Sequence, residues 1–349
     1  MDLAANNAPA LKRTSSRRSI PPSEAGTERT QRSSNTTAVY RHKNLAAAEI
    51  HMHAEPSDYI QAAIERIIDA EVSKERRSEL HVIAQELRDG CLKNVRAQAD
   101  EDDVIDPQSH FSSSFMSGVL QLEVDDVSAP PRKRQQQSAG EPYIQRLSGI
   151  ERDACSGPPR SSIETPRPDI SMGIQLTALI SALSSQNLNK VKARTFLTWL
   201  QNEMVQHEPG GPLEPMLIPS TGKQIFEAEN QASVSGACGL KIQLDLDNLV
   251  DRSARRSDAL PTISNIEPPL FFTICTQGPI HELWAHWTVV EDGVRMFGSK
   301  LFDSCNALLL EQGEDFVVRL NNIGLWGLGP FMKSVVERLG WVAGKAKFE

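Results

Sequence analysis

Aromatic side chains are scarce in this chain of 349 residues: Phe, Trp and Tyr make up 5% and all hydrophobic residues 39%. Large apolar side chains supply most of the burial energy of a core, at about 25 cal/mol per Å², so the chain lacks the material for a core along its whole length. The supply is also uneven: Trp284, Trp287, Trp326 and Trp341 all lie towards the C-terminus, and Trp199 is the only other tryptophan. Cysteine is thin as well. Cys91, Cys155, Cys238, Cys275 and Cys305 are odd in number and include no CxxC, which excludes a disulfide framework and a zinc cluster and fits a reducing compartment. No run approaches the ~20 apolar residues of a membrane span, no apolar leader opens the chain, and there are no internal repeats. The expectation is a soluble intracellular protein, nuclear or cytoplasmic, with no membrane partner.

What is present falls into four stretches. Residues 1–55 read as a disordered basic tail: the first 44 residues hold eight Lys/Arg against three acids, in a chain whose net charge is -8. Such an arm can touch nucleic acid or an acidic surface. Residues 56–98 read as an amphipathic helical segment, one long helix or two, with Ile60, Ile64, Ile67, Ile68, Leu80, Ile83, Leu87 and Cys91 at helical spacing. Pro56 suits a first-turn proline, and Gly90 an end or break. The apolar stripe needs a cover, either the downstream domain or a protein partner. Residues 99–159 read as a mostly disordered linker with one short strand candidate, Val119–Val124, and a basic cluster at Arg132–Arg134 that is a candidate nuclear import signal or phosphate contact.

From about residue 160 to 349 the pattern is that of one α/β (α+β) domain. A short strand is expected at Arg167–Ile174, helical periodicity over 176–206, a turn-rich break at Glu208–Ser220 and a long helix over Lys223–Leu249. The middle of that helix, Ala232 to Gly239, is rich in small residues; its two glycines cost about 1 kcal/mol each against Ala, which points to close packing on a sheet. Strands are expected at Leu270–Thr276, Glu282–Val290 and Val294–Phe302, the last two joined by the turn Glu291-Asp292-Gly293, followed by helices over 305–320 and 330–343. The order predicts a mixed central sheet flanked by helices.

Three segments carry a resemblance: Pro166-Arg-Pro-Asp-Ile-Ser-Met-Gly-Ile174, Thr221-Gly-Lys-Gln-Ile-Phe-Glu-Ala-Glu-Asn-Gln-Ala-Ser-Val-Ser-Gly-Ala237 and Phe271-Phe-Thr-Ile-Cys-Thr-Gln-Gly-Pro-Ile-His-Glu-Leu-Trp-Ala-His286. They resemble an uncharacterised fungal family that is itself similar to PD-(D/E)XK nuclease-like proteins. The resemblance covers roughly residues 160–345 and implies a PD-(D/E)XK nuclease-like fold acting on DNA or RNA. In that superfamily an Asp and a second acid on a neighbouring strand hold Mg²⁺, whose hard character suits oxygen ligands. The metal activates water, and a Lys two residues after the second acid offsets developing charge. Alternation along a strand puts that acid and Lys on one face.

By this resemblance Asp169 takes the first catalytic and metal-binding role. The second half is missing: no lysine of the chain has an acid two residues before it. The resemblance places a Glu-x-Lys strand before the Thr-Gly-Lys segment, but here Leu217-Ile218-Pro219-Ser220 runs straight into Thr221-Gly222-Lys223. Lys223 remains a catalytic candidate, and Glu227, with Glu229 beside it, can substitute for the missing acid from the helix. Gln231, Glu282 and His286 are substrate-binding candidates, Gln231 and Asn230 as polar helix positions.

His281-Glu282-Leu283-Trp284-Ala285-His286 does not fit a zinc protease, which needs His at i and i+4 on a helix. On a strand Glu282 and His286 share a face and His281 points away. Cys275, inside an apolar strand, reads as a buried inert thiol, and Gly324–Gly329 as an interhelical turn. The expected protein is a nuclease-like domain without its metal-binding strand, binding nucleic acid without cleaving it. The alternatives are a Mg²⁺-dependent nuclease using Asp169 with a migrated acid, and a non-enzymatic interaction module that docks partners through residues 56–98.

Overall fold

The hairpin Glu291-Asp292-Gly293 forms as its sequence demands. Asp292 and Gly293 both take positive φ, 50° and 79°, the geometry that lets a two-residue turn follow the twist of its strands. The hairpin joins the two longest strands of a computed structural model that describes residues 40–99, 176–186, 188–207, 217–221, 225–257 and 268–345. In chain order the strands are β1 (Ile50–Met52), β2 (Leu217–Thr221), β3 (Leu270–Gln277), β4 (Ile280–Glu291) and β5 (Val294–Asn306). The helices are α1 (Asp58–Ile68), α2 (Lys74–Ala99), α3 (Leu176–Ser185), α4 (Lys190–His207), α5 (Ile225–Ser257), α6 (Leu310–Trp326) and α7 (Met332–Lys345).

The chain is a mixed α+β protein whose sheet is flanked by helices. The strand order is β1-β5-β4-β3-β2. The central pairs β3–β4 and β4–β5 are antiparallel, and the edges β1 and β2 run parallel to β5 and β3. Parallel edges cannot be reached by hairpins, so both come from distant sequence. Pro219 lies within β2, in register with Ile274; a proline is tolerated there because β2 is an edge. Leu217–Thr221 is therefore a strand and not the end of a turn-rich break.

Helices cover both faces of the sheet. Leu270, Phe272, Ile274, Leu283, Ala285 and Trp287 alternate onto one face and share a core with α1, α2 and α6. Phe271, Thr273, Cys275, Trp284 and His286, the alternate residues, lie on the other face under α5. The small-residue stretch of α5 has the packing reason that its composition predicts. A Cβ at Gly236 would lie 2.3 Å from the His286 ring, and one at Gly239 2.2 Å from the Phe271 ring. A third, all-helical core joins α3, α4, α7 and the C-terminal half of α5.

Several boundaries differ from the sequence reading. The N-terminal tail does not run to residue 55. Arg41–Leu45 is a π-helical turn and Ile50–Met52 is a sheet strand, with Tyr40, Leu45, Ala48 and Ile50 buried against α5, Phe271 and Phe297. The 56–98 helices are neither a separate segment nor an open docking stripe. Ile60, Ile64, Ile67, Ile68, Leu80, Leu87 and Cys91 lie in the core with α6, each large side chain contributing roughly 1.5–3 kcal/mol. Asn322 of α6 anchors their junction by donating to the carbonyls of Ile68 (3.0 Å) and Ala70 (2.9 Å). The folded unit thus draws on residues well before 160.

Pro56 precedes α1; Ser57 is its N-cap, its hydroxyl accepting from the Ile60 amide. Helix α2 continues through Gly90. The helical pattern over 176–206 is two helices, and Asn189 accepts from Lys192 N (2.8 Å) at the start of the second. Gly324–Gly329 continues α6 into a π-helical turn, Gly327–Phe331, that leads into α7. The expected strand elements at 119–124 and 167–174, the Arg132–Arg134 cluster, Asp169 and Lys223 lie outside the described residues.

Candidate functional site

Glu229 is where the sheet, the long helix and the N-terminal segment meet. Counting from Glu229, positions i+3, i+7 and i+10 of α5 are Ala232, Gly236 and Gly239, so it shares the face laid on the sheet. Glu227 sits two residues earlier, and residues i and i+2 of a helix do not face each other. It is half-buried, as is Gln231, whereas Asn230 is buried. Of the acids in this stretch, Glu229 is the one brought into a cluster.

Arg41 closes that cluster. Its Nε donates to Asn230 Oδ1 (2.7 Å) and its Nη2 to the Phe226 carbonyl (3.3 Å). Nη2 also ion-pairs with Glu229 Oε2, and the guanidinium carbon lies 3.5 Å from the Phe226 ring centroid. Both side chains of the pair are largely buried, 17% and 13% exposed. An always-charged planar guanidinium suits this combination of ring face, carboxylate and amide.

Glu282, on β4, completes the group. Its Oε2 accepts from Trp284 Nε1 (3.0 Å), and the charges of Glu229 and Arg41 both act on its carboxyl. Burial pushes the Glu282 carboxyl above its ordinary value. The Trp284 hydrogen bond opposes the rise, the neighbouring Glu229 adds to it, and Arg41 offsets part of it. The Trp284 ring lies 5.1 Å from that of His53, whose backbone is left-handed at φ 57°.

Behind the carboxyls the same sheet face runs inward. Cys275 pairs across the sheet with Glu282. It is fully buried, and burial, with the charges of Glu282 and Glu229, pushes its thiol well up, as an inert thiol requires. His286 is deeper still. Its Nε2 is 2.7 Å from Thr273 Oγ1, and burial pushes its pKa down to about 3, so the ring is neutral at physiological pH. It is sealed under Gly236, where substrate has no approach. His281 lies on the opposite face, its Nε2 3.9 Å from Cys91 Sγ.

Of the residues predicted as a site, Glu282 is brought into the cluster, His286 lies in the core behind it, and Glu227 and Gln231 sit beside it on α5. Arg41 was missed because its surroundings read as basic tail; the apolar Tyr40, Leu45 and Ile50 around it were the available signal. Glu229 was legible from the phase of the small residues on α5.

Mg²⁺ demands several oxygen ligands in near-ideal octahedral geometry. Glu229 is engaged by Arg41 and Glu282 by Trp284, and among the described residues no three His, Cys, Asp or Glu side chains gather as a metal set. As arranged, these residues do not fit Mg²⁺. Among the described residues no helix is long and apolar enough to cross a membrane. No protein-family model, no curated protein and no solved structure matches the chain.

Proposed function

We propose that this protein is a nuclease-like domain of the PD-(D/E)XK type that binds nucleic acid in the nucleus or cytoplasm and does not cleave it. The reading rests chiefly on one observation. The acid cluster at the head of α5 holds the guanidinium of Arg41, a fixed cation supplied by the chain, so its carboxylates are not free for an exchangeable metal. A guanidinium compensates carboxylate charge but neither activates water nor leaves open coordination positions. The missing acid-x-Lys triplet, read from the sequence, points the same way.

The test is a supercoiled-plasmid assay with Mg²⁺ or Mn²⁺ on the full chain, with binding measured in parallel at low and moderate salt. The expected outcome is binding that weakens steeply with salt and no cutting. Metal-dependent cutting that disappears in Asp169→Ala overturns the non-cleaving assignment. Absence of binding at low salt overturns the nucleic-acid assignment.

A further inference from the structure

The all-helical core carries charge of the opposite sign to the chain. Helices α3, α4 and α7 with Lys241–Ser257 of α5 hold ten Lys/Arg against five Asp/Glu, in a protein of net charge -8. The described acids of this layer are mostly spoken for: Asp245 by Lys241 (3.2 Å), Asp247 by Arg338 (2.6 Å) and Glu337 by Lys333 (4.0 Å). Lys190, Lys192, Arg194, Arg252, Arg255 and Lys345 are exposed, and none of them has an ion-pair partner among the described residues.

Helix stability does not explain these charges. Lys190, Lys192 and Arg194 crowd the first turns of α4, which has no acid in its first turn. Cations there oppose the helix dipole. Packing does not explain them either: Ala193, Phe196, Leu197 and Leu200 supply the buried face of α4, and the cations flank that face, exposed, Lys190 and Arg194 on one side and Lys192 on the other. Because those apolar positions are already covered, the described side chains of α4, up to Leu200, form no broad apolar face to sink into a bilayer. The exposed positions of α4 include the three cations. Lys190 and Arg194 are four residues apart and Arg252 and Arg255 three apart, so each pair shares a side of its helix at about 5–6 Å, a spacing suited to a run of phosphates.

We infer that this helical layer, led by Lys190 and Arg194, is a surface for the phosphate backbone of a nucleic acid, separate from the Arg41–Glu229–Glu282 cluster. The inference rests on the nucleic-acid reading above and gives it a location. It holds that the layer, and not the basic N-terminal arm, supplies most of the contacts. Recognition is by backbone charge, so it is indifferent to sequence.

The test uses the full chain and a fluorescein-labelled DNA of arbitrary sequence, with affinity followed across a salt series. Three proteins are compared: wild type; the layer variant Lys190→Gln, Lys192→Gln, Arg194→Gln; and an arm variant with Arg13, Arg17, Arg18, Arg29 and Arg32 each changed to Gln. The substituted layer residues are exposed, and an unchanged circular-dichroism melt verifies folding. The layer variant is expected to bind about tenfold or more weaker at low salt, with the slope of log affinity on log salt reduced by about 2–3, and the arm variant to lose less. A layer variant that binds like wild type while the arm variant loses binding overturns this inference and leaves the proposed function standing. A wild type that binds no DNA at low salt overturns both. Binding to phosphatidylserine vesicles without binding to DNA also overturns both, by identifying a membrane surface instead.

Discussion

The two faces of the sheet solve the problem of burial in different ways. The face under α1, α2 and α6 is apolar throughout, Leu270, Phe272, Ile274, Leu283, Ala285 and Trp287, and is filled by large side chains from both sides. The face under α5 is as deeply buried but carries Thr273, His286, Cys275 and Ser299 and opens at one end on Glu229, Glu282 and Arg41. The hydroxyls of Ser233, Ser235 and Ser299 are buried with no hydrogen-bond partner among the described residues. A buried unsatisfied hydroxyl costs about 1–3 kcal/mol, so this face gives up stability that the other supplies. The difference shows a division of labour: one face holds the domain together, and the other keeps polar groups near the head of α5, tolerable because small residues let the helix cover them closely.

The largest expected effect tests the supporting face. Phe272 is fully buried and meets Trp326 edge-on at 5.6 Å between centroids. Phe272→Ala is expected to cost about 3–5 kcal/mol in urea unfolding. A loss below about 1 kcal/mol would show that the apolar face does not carry the stability assigned to it.

The second tests the polar face through pH. Above pH 6.5 His286 is neutral in both the folded and the unfolded chain and contributes no pH dependence. Below 6.5 the unfolded chain takes up a proton that the buried ring refuses until about pH 3. Stability therefore falls on acidification through that window, by about 1.4 kcal/mol per pH unit from this group. The double variant Thr273→Val with His286→Leu is expected to remove this component of the slope without leaving either partner unpaired. An unchanged slope in urea melts between pH 6.5 and 5 would mean that the ring is not sealed from solvent.

The third addresses the open end. Arg41→Gln leaves Glu229 and Glu282 without their cation and is expected to cost about 1–2 kcal/mol at pH 7, because it breaks one side of a largely buried pair. The deficit is expected to shrink on acidification as Glu282, whose carboxyl already sits above its ordinary value, takes up a proton. A deficit independent of pH would indicate lost packing on Phe226 and not lost charge.

Periodicity made the antiparallel centre of the sheet and the long helix readable from sequence. β3, β4 and β5 are joined by short turns with local signals, and the small residues of α5 recur at the helical repeat. The edges were not readable. β1 is three residues long, pairs with β5 more than two hundred residues away and sits in a segment whose charge resembles a tail. β2 contains a proline, which counts against a strand unless the strand is known to be an edge. The same non-local pairing hid the cluster, since Arg41 meets Glu229 only because β1 brings the N-terminal segment across the sheet. Glu282 is readable because it lies on a readable strand, whereas the choice between Glu227 and the neighbouring Glu229 needs the phase of α5 against the sheet, which places Glu229 with Ala232 and Gly236.

The smallest expected effect separates both sheet faces from the helical layer beyond them. Lys190→Gln removes a cation from the first turn of α4, where the helix dipole disfavours it, and touches neither face of the sheet. Stability is expected to rise by about 0.3 kcal/mol, while DNA affinity falls. Charges held only for folding would change the two quantities in the same direction. Opposite changes, read from thermal melts and fluorescence anisotropy on the same variant, are the signature of residues kept at a local cost for a ligand. A fall in stability with no change in affinity would assign Lys190 to the fold and detach the helical layer from nucleic acid.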